Sequence, residues 1–282
     1  MRIMFLNAWG GALHEELIPY LVKQSRSIDV FCLQEVHHAL RLSNLSERKI
    51  LPERGKRERR HLVTLFNNLQ QVLRDSHIGI HSPALSGLHD LEGKPSEFYD
   101  YGLATFTRIA ARPETFRASM THRVFGQYND GKPASRAVVS FTSRLRGRHV
   151  LIAHMHGLWT RVGKIDTPER IMQSRRVAEL IAAHRREESW GEELPVIFGG
   201  DFNLTSECSA LKRLENGRYF GPGGGESLTA KFGISDTRTA NYKKPERQAN
   251  FVLASKVLDA QLKVDYSAPS DHAALIVSID ES

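Results

Sequence analysis

Leu194-Pro195-Val196-Ile197-Phe198-Gly199-Gly200-Asp201-Phe202-Asn203 is an apolar run that stops on a carboxylate and a carboxamide two residues apart. A buried strand ending there puts Asp201 and Asn203 on one face of the chain, by the period-two alternation of extended backbone. The glycines before the Asp let the backbone approach a ligand closely. Taken alone, an Asp after a strand also suits a turn or a helix cap. The rest of the chain has to separate these readings.

Outward from that run the pattern repeats. Asn7 follows the apolar stretch Arg2 to Leu6, and Gln34-Glu35 follow Phe31-Cys32-Leu33. His154 and His156 follow Val150-Leu151-Ile152, while Asp271-His272 precede Ala273-Ala274-Leu275. All can sit on one rim. A hard cation such as Mg²⁺ (or Mn²⁺) takes oxygen ligands and keeps several waters, so Glu35 and Asp271 suit it, with Asn7 supporting. Hydrolysis of a phosphodiester also needs an oriented water and compensation of phosphate charge. Asp201 can take the proton, while Asn203 and the histidines hold the phosphate. Plain explanations stand beside these roles: Asn7 before Trp9-Gly10-Gly11 can shape a turn, Glu35 can be an exposed first-turn residue, and Ser270-Asp271-His272 can be an Asx turn. His14, His37, His38, His61 and His89 lack such a context and read as surface or packing residues.

Hydrophobic spacing organises the remainder. Arg2 to Leu6 and Ile28 to Leu33 read as strands around a helix through Leu13, Leu17, Ile18, Leu21 and Val22. His61 to Leu73 has helical spacing. Ile78 to His81, Gly102 to Thr107, Ala137 to Thr142 and His149 to Met155 read as strands. Thr167-Pro168-Glu169 opens a long helix, with Thr as cap, Pro in the first turn and Glu at the positive dipole end. A short helix near Ser209 to Leu214 and strands at Asn250 to Ala254 and Ala274 to Ile279 complete the pattern.

No linker divides the 282 residues, so one domain spanning 1–282 is expected. No apolar stretch approaches 18 residues and no leader is evident at Met1 to Leu6. Two cysteines, Cys32 and Cys208, are too few for a disulfide framework and fit a reducing, cytoplasmic setting. Net charge is +7, and from Arg41 to Arg60 eight basic residues face three glutamates. With Pro52 and Gly55, that stretch reads as a basic insertion, a loop or frayed helix at about 41–60. It can track a phosphate backbone, or be a solvated face. The absence of Gly-x-x-x-x-Gly-Lys, Gly-x-Ser-x-Gly and His-Glu-x-x-His patterns removes P-loop, acyl-hydrolase and zinc-protease readings.

The ordered set Asn7, Gln34-Glu35, Tyr101-Gly102-Leu103-Ala104, His156, Gly200-Asp201-Phe202-Asn203 and Ser270-Asp271-His272 resembles the endonuclease/exonuclease/phosphatase superfamily over nearly the whole chain. The resemblance implies a four-layer α/β sandwich, two mixed β-sheets packed face to face with helices outside. It also implies Glu35 as principal metal ligand with Asn7 and Asp271 close by, Asp201 on the attacking water, and Asn203, His156 and His272 on the phosphate. Tyr101 is a looser correspondence, and His154 rivals His156. Family members commonly have Asp where this chain has Asn250, orienting the Ser-Asp-His histidine. A metal-dependent nuclease acting on DNA or RNA is the leading expectation, since Arg161, Lys164, Arg170, Arg175 and Arg176 add to the basic stretch. A sphingomyelinase- or inositide-type phosphodiesterase or phosphatase, for which Trp159 can meet a membrane or lipid substrate, is the alternative. A non-catalytic nucleic-acid-binding relative is the third. No protein partner is expected.

Overall fold

The computed structural model describes residues 1–39, 50–53, 56–91, 94–122, 126–127, 136–145, 148–221 and 223–279. The first half contains β1 (Arg2–Asn7), α1 (His14–Gln24), β2 (Val30–Ala39), β3 (Ile50–Glu53), β4 (Lys56–Leu62), α2 (Leu65–Leu73), β5 (His77–Leu91), β6 (Lys94–Arg108), β7 (Pro113–His122), β8 (Gly126–Gln127) and β9 (Arg136–Leu145). The second contains β10 (Arg148–His156), α3 (Pro168–Glu187), β11 (Val196–Asp201), α4 (Ser209–Glu215), β12 (Gly225–Ser227), α5 (Leu228–Lys231), β13 (Asn250–Ser255), β14 (Ala260–Asp265) and β15 (Ala274–Ile279). One sheet has the order β14-β15-β1-β2-β6-β5-β8 and the other β12-β13-β11-β10-β9-β7. Both are mixed: β1–β2 and β10–β11 pair in parallel, each across a helix, and most other neighbours are antiparallel.

Alternation along each strand explains the layers. Ile3, Phe5, Val30 and Cys32 of the first sheet meet Val150, Ile152, Ile197 and Val252 of the second in one buried cluster. The intervening residues Met4, Leu6, Phe31 and Leu33 pack against Leu17 and Leu21 of α1 and Leu65 and Leu69 of α2. On the other side Leu151, Ala153, Val196 and Phe198 pack against Val177 and Ile181 of α3 and Leu211 and Leu214 of α4. The result is helix, sheet, sheet, helix. Each fully buried aliphatic or Phe side chain contributes about 1.5–3 kcal/mol, so the inter-sheet core fixes how the strand ends face one another. As its sequence implies, α3 is capped by Thr167, whose Oγ1 accepts from the Arg170 amide.

Three sequence expectations change. Within 41–60 the described residues form a β3–β4 hairpin, pairing Ile50 with Leu62 and Pro52 with Arg60, where a loop or frayed helix was expected; residues 40–49 and 54–55 lie outside the described residues. The helix expected from His61 starts at Leu65, because His61 and Leu62 belong to β4. Strands β7 and β14 lacked a strong apolar pattern in sequence, and both are half-exposed along much of their length. No described helix is long and apolar enough to cross a membrane.

Candidate active site at the rim between the sheets

The strand faces that form the inter-sheet core continue, one step past their last apolar residue, into polar side chains. On β1 the inward series Ile3, Phe5 ends in Asn7; on β11 the series from Ile197 ends in Asp201; on β13 Ala254 and Val252 lead back to Asn250. Register then aligns them. His156 pairs with Asp201 and Asp201 with Asn250 across three adjacent strands, while Asn7 pairs with Gln34 on the facing sheet. Neighbouring strands lie about 4.8 Å apart, so these side chains are brought together by backbone pairing alone.

Asn7 is the brace. Its Nδ2 donates to Glu35 Oε1 at 2.9 Å and to Asp201 Oδ2 at 2.9 Å, and its Oδ1 accepts from the Trp9 amide. Glu35 reaches this point through a bulge: β2 slips against β6 between Leu33 and Val36, and Glu35 takes φ 57°. A bulge re-aims a side chain that strict alternation would send elsewhere. Asn203 also has positive φ, 53°, and its amide donates to Asp201 Oδ1 at 3.0 Å. Asp201 therefore uses its two oxygens differently: Oδ1 holds the turn, and Oδ2 faces Asn7, His156 and His272. Non-glycine residues in this region are uncommon and concentrate where structure enforces them. Two glycines permit the close approach. A Cβ at Gly200 would overlap the Met155 carbonyl, and one at Gly157 the Phe202 carbonyl.

His156 Nε2 lies 3.6 Å from Glu35 Oε1 and 3.7 Å from Asp201 Oδ2, and metal-capable atoms of Glu35, His156 and Asp201 all fall within 4.8 Å of one another. Tyr101 stands with its ring 6.5 Å from that of His156. Asp271 Oδ2 accepts from Arg238 Nη1 at 3.0 Å. His272 Nε2 is 3.4 Å from Asp201 Oδ2, and Ser270 Oγ ties the turn to the Asn7 carbonyl at 2.6 Å.

Arg238 is the residue that sequence reading missed. Its Nη1 donates to His272 Nε2 as well as to Asp271, and it forms an isolated bridge with His272. Because a guanidinium only donates, Nε2 must accept, and the ring proton sits on Nδ1, which donates to Asn250 Oδ1 at 2.6 Å. Burial, then Arg238, His156 and Lys164, hold the His272 pKa well below its ordinary value. His272 is thus a neutral imidazole between a cation and a carboxamide. Replacing Asn250 by Asp puts a carboxylate on Nδ1 and raises that pKa. Whichever protonation state turnover needs, the limb of the pH–rate profile belonging to His272 should move to higher pH in Asn250→Asp; superimposable profiles would refute the assignment.

The two histidines of β10 differ in depth. His154 points the same way as His156 but two residues deeper, where Nε2 contacts Thr105 Oγ1 at 2.9 Å and Nδ1 contacts Gln34 Nε2 at 3.4 Å. Burial pulls its pKa from 6.5 down to about 3. Above pH 6.5 folded and unfolded chains carry the same neutral ring; between there and about 3 only the unfolded chain binds the proton. Stability therefore falls on acidification, by about 1.4 kcal/mol per pH unit from this residue alone. Urea unfolding at about pH 7 and pH 5 should show a smaller loss in His154→Gln than in wild type, and equal losses would contradict this.

Two expected nucleic-acid contacts are internal. Lys164 Nζ donates to the carbonyls of Glu246 and Gln248, and Arg170 to those of Leu158 and Ile165. Arg161, Arg175 and Arg176 are exposed. Trp159 is 56% exposed, two residues beyond the Gly157 carbonyl that accepts from Asn203 Nδ2.

With this geometry in hand, comparison with known proteins is decisive at family level. A sequence profile described as the Endonuclease/Exonuclease/phosphatase family matches residues 4–272. The chain belongs to the endonuclease/exonuclease/phosphatase family. Members of this family are typically hydrolases of phosphoester bonds and generally depend on a divalent metal. No curated protein sequence matches it. Solved structures share the fold at low identity. A mannosyl-6-phosphatase of Bacteroides thetaiotaomicron has TM-score 0.66 and 14% identity, covering 100% of both chains. Truncated TDP2 of Caenorhabditis elegans has 0.60 and 14%, covering 99% of this chain and 97% of that one. The human Nocturnin catalytic domain has 0.61 and 17%, covering 99% and 93%. These likenesses establish the shared four-layer fold of an endonuclease/exonuclease/phosphatase domain.

Proposed function

We propose that this endonuclease/exonuclease/phosphatase protein is a divalent-metal-dependent phosphodiesterase that cleaves nucleic acid. The observation that carries the reading is the convergence of Glu35 and Asp201 on one Asn7 amide, with His156 and His272 facing the same carboxylate. Two carboxylates in a buried rim form a donor set that fits Mg²⁺ or Mn²⁺. Glu35 would be the principal ligand, with Asn7 orienting it and Asp271 close by, the latter also accepting from Arg238. The bound ion supplies positive charge against the phosphate oxygens.

The chain's own groups do the rest. Asp201 Oδ2 accepts the proton of the attacking water, while Oδ1 is pinned by the Asn203 amide so that the carboxylate cannot rotate. One Asn203 amide hydrogen is used on the Gly157 carbonyl, leaving the second for a phosphate oxygen. His156 faces the phosphate, and Tyr101 borders it. Arg238 brings a buried cation to His272, so charge on the phosphate is met without protonating the imidazole.

The exposed Arg161, Arg175 and Arg176 and the net charge of +7 support a polyanionic substrate. A second reading draws on Trp159, Val162 and Ile165, all more than half exposed in the segment that follows β10; they equally suit a lipid interface. A fold neighbour named as a mannosyl-6-phosphatase keeps phosphomonoesters in view. Product release from single- and double-stranded DNA, RNA, sphingomyelin and inositol phosphates, with Mg²⁺, Mn²⁺ or EDTA, tests the proposal. Cleavage of nucleic acid that EDTA abolishes and salt weakens is expected. Turnover confined to lipids or inositol phosphates would transfer the site to the second reading, and silence on all would overturn phosphodiesterase activity. Glu35→Gln should shift the metal titration by at least about tenfold; an unmoved curve would remove Glu35 as ligand.

A further inference from the structure

On the opposite, helix-facing side of the first sheet, the structure brings together three side chains that the proposed chemistry does not use. Donor atoms of His38 on β2, His81 on β5 and Asp100 on β6 lie within 4.8 Å of one another. Their neighbours have already set the ligand geometry. His81 Nε2 donates to the Val36 carbonyl at 3.1 Å, so its lone pair is on Nδ1, a buried atom with no partner among the described residues. Ser86 Oγ donates to Asp100 Oδ1, which leaves the other carboxylate oxygen for a cation. A ring N–H spent on a backbone carbonyl and a carboxylate held by a hydroxyl are the supporting contacts that fix metal ligands. The rings of His38 and His81 both lean on Phe66, an apolar wall on one side.

We propose that His38, His81 and Asp100 form a second metal site, selective for a transition-metal dication of the Zn²⁺ class and separate from the catalytic rim. Two imidazoles and one carboxylate suit Zn²⁺ and its neighbours rather than Mg²⁺, which prefers oxygen. Ligand atoms on a tetrahedral ion at about 2.0–2.1 Å sit about 3.3 Å apart. The half-exposed His38 has the freedom to close that distance, and solvent supplies a fourth ligand. Burial lowers the pKa of His38, and that of His81 to about 4, so both imidazoles are unprotonated near neutral pH, as ligands must be. The ion would tie β2, β5 and β6 together three residues beyond Glu35, on the far side of the bulge.

Co²⁺ is the probe, used on the full chain carrying Glu35→Gln so that the rim is weakened. The expected result is one Co²⁺ bound with the strong visible absorption of a four-coordinate ion, displaced by Zn²⁺ and not by Mg²⁺. His38→Gln and Asp100→Asn should each weaken that binding by at least about tenfold and abolish the rise in Tm that Zn²⁺ gives the parent. Co²⁺ binding unchanged by both variants, or no such spectrum in the parent, would overturn the site. Should either variant fail to fold, X-ray absorption of the Zn²⁺-loaded parent decides. A shell with two imidazoles that persists when His156 is also replaced by Gln, which leaves the rim only His272, supports the proposal; a shell with fewer than two overturns it.

Discussion

Asp201→Asn should lower phosphodiester turnover by at least about 10²-fold in a protein that still folds. The substitution keeps an Oδ1 acceptor for the Asn203 amide and preserves side-chain volume, but it turns an NH2 group toward Asn7 Nδ2, so a loss of stability of about 1–3 kcal/mol accompanies the kinetic effect. What it removes is the carboxylate that faces Asn7 Nδ2, His156 and His272 from a position only 2% exposed. An amide there cannot accept a proton from water, and it presents no negative charge to the cation. The measurement is initial rate against substrate at saturating Mg²⁺, beside a thermal melt. If the variant turned over at the wild-type rate, Asp201 would be a turn residue and nothing more.

His272→Ala should produce a loss of similar size, at least about 10²-fold. Here the physical route is different. Removing the ring deprives Arg238 Nη1 of one acceptor and Asn250 Oδ1 of its donor, both in a buried setting, so a loss of stability of about 1–3 kcal/mol accompanies the kinetic effect. Arg238→Lys separates the two contributions. It keeps the charge but presents it on a shorter head that does not occupy the position of the Nη1 serving both Asp271 and His272, so it should reduce turnover less than His272→Ala, with the deficit in kcat rather than KM. Full activity in His272→Ala would move the phosphate-facing role to Arg238 alone.

Much of this architecture was legible because period-two alternation is a local rule. The residues that end Ile197 to Asp201 and Ile3 to Asn7 could be placed on one face from spacing alone, and the inter-sheet core carries them to the same rim. Glu35 was legible as a carboxylate just past an apolar run, but its direction was not, since the bulge before Val36 breaks the alternation that would otherwise aim it. His154 and His156 could not be separated by direction; one strand step of about 6.6 Å along β10 divides a core residue from a cleft residue. Arg238 gave no signal, because it lies in an irregular segment and meets His272 only by folding. The hairpin at 50–62 was hidden by its charge and by Pro52, and His38, His81 and Asp100 by their origin on three strands.

The pairing of β1 with β15 has a consequence for when such a protein can work. Strand residues Arg2 to Phe5 lie between Val30 to Leu33 on one side and Leu275 to Ser278 on the other. The strand that carries Asn7 therefore gains its second neighbour only from a segment made more than 260 residues later in synthesis. Contacts so distant in sequence form slowly and late. On the proposed function, activity would in this sense report completion: a chain lacking β15 keeps most of its chemistry-bearing side chains but has lost one of the two strands flanking the one that carries Asn7.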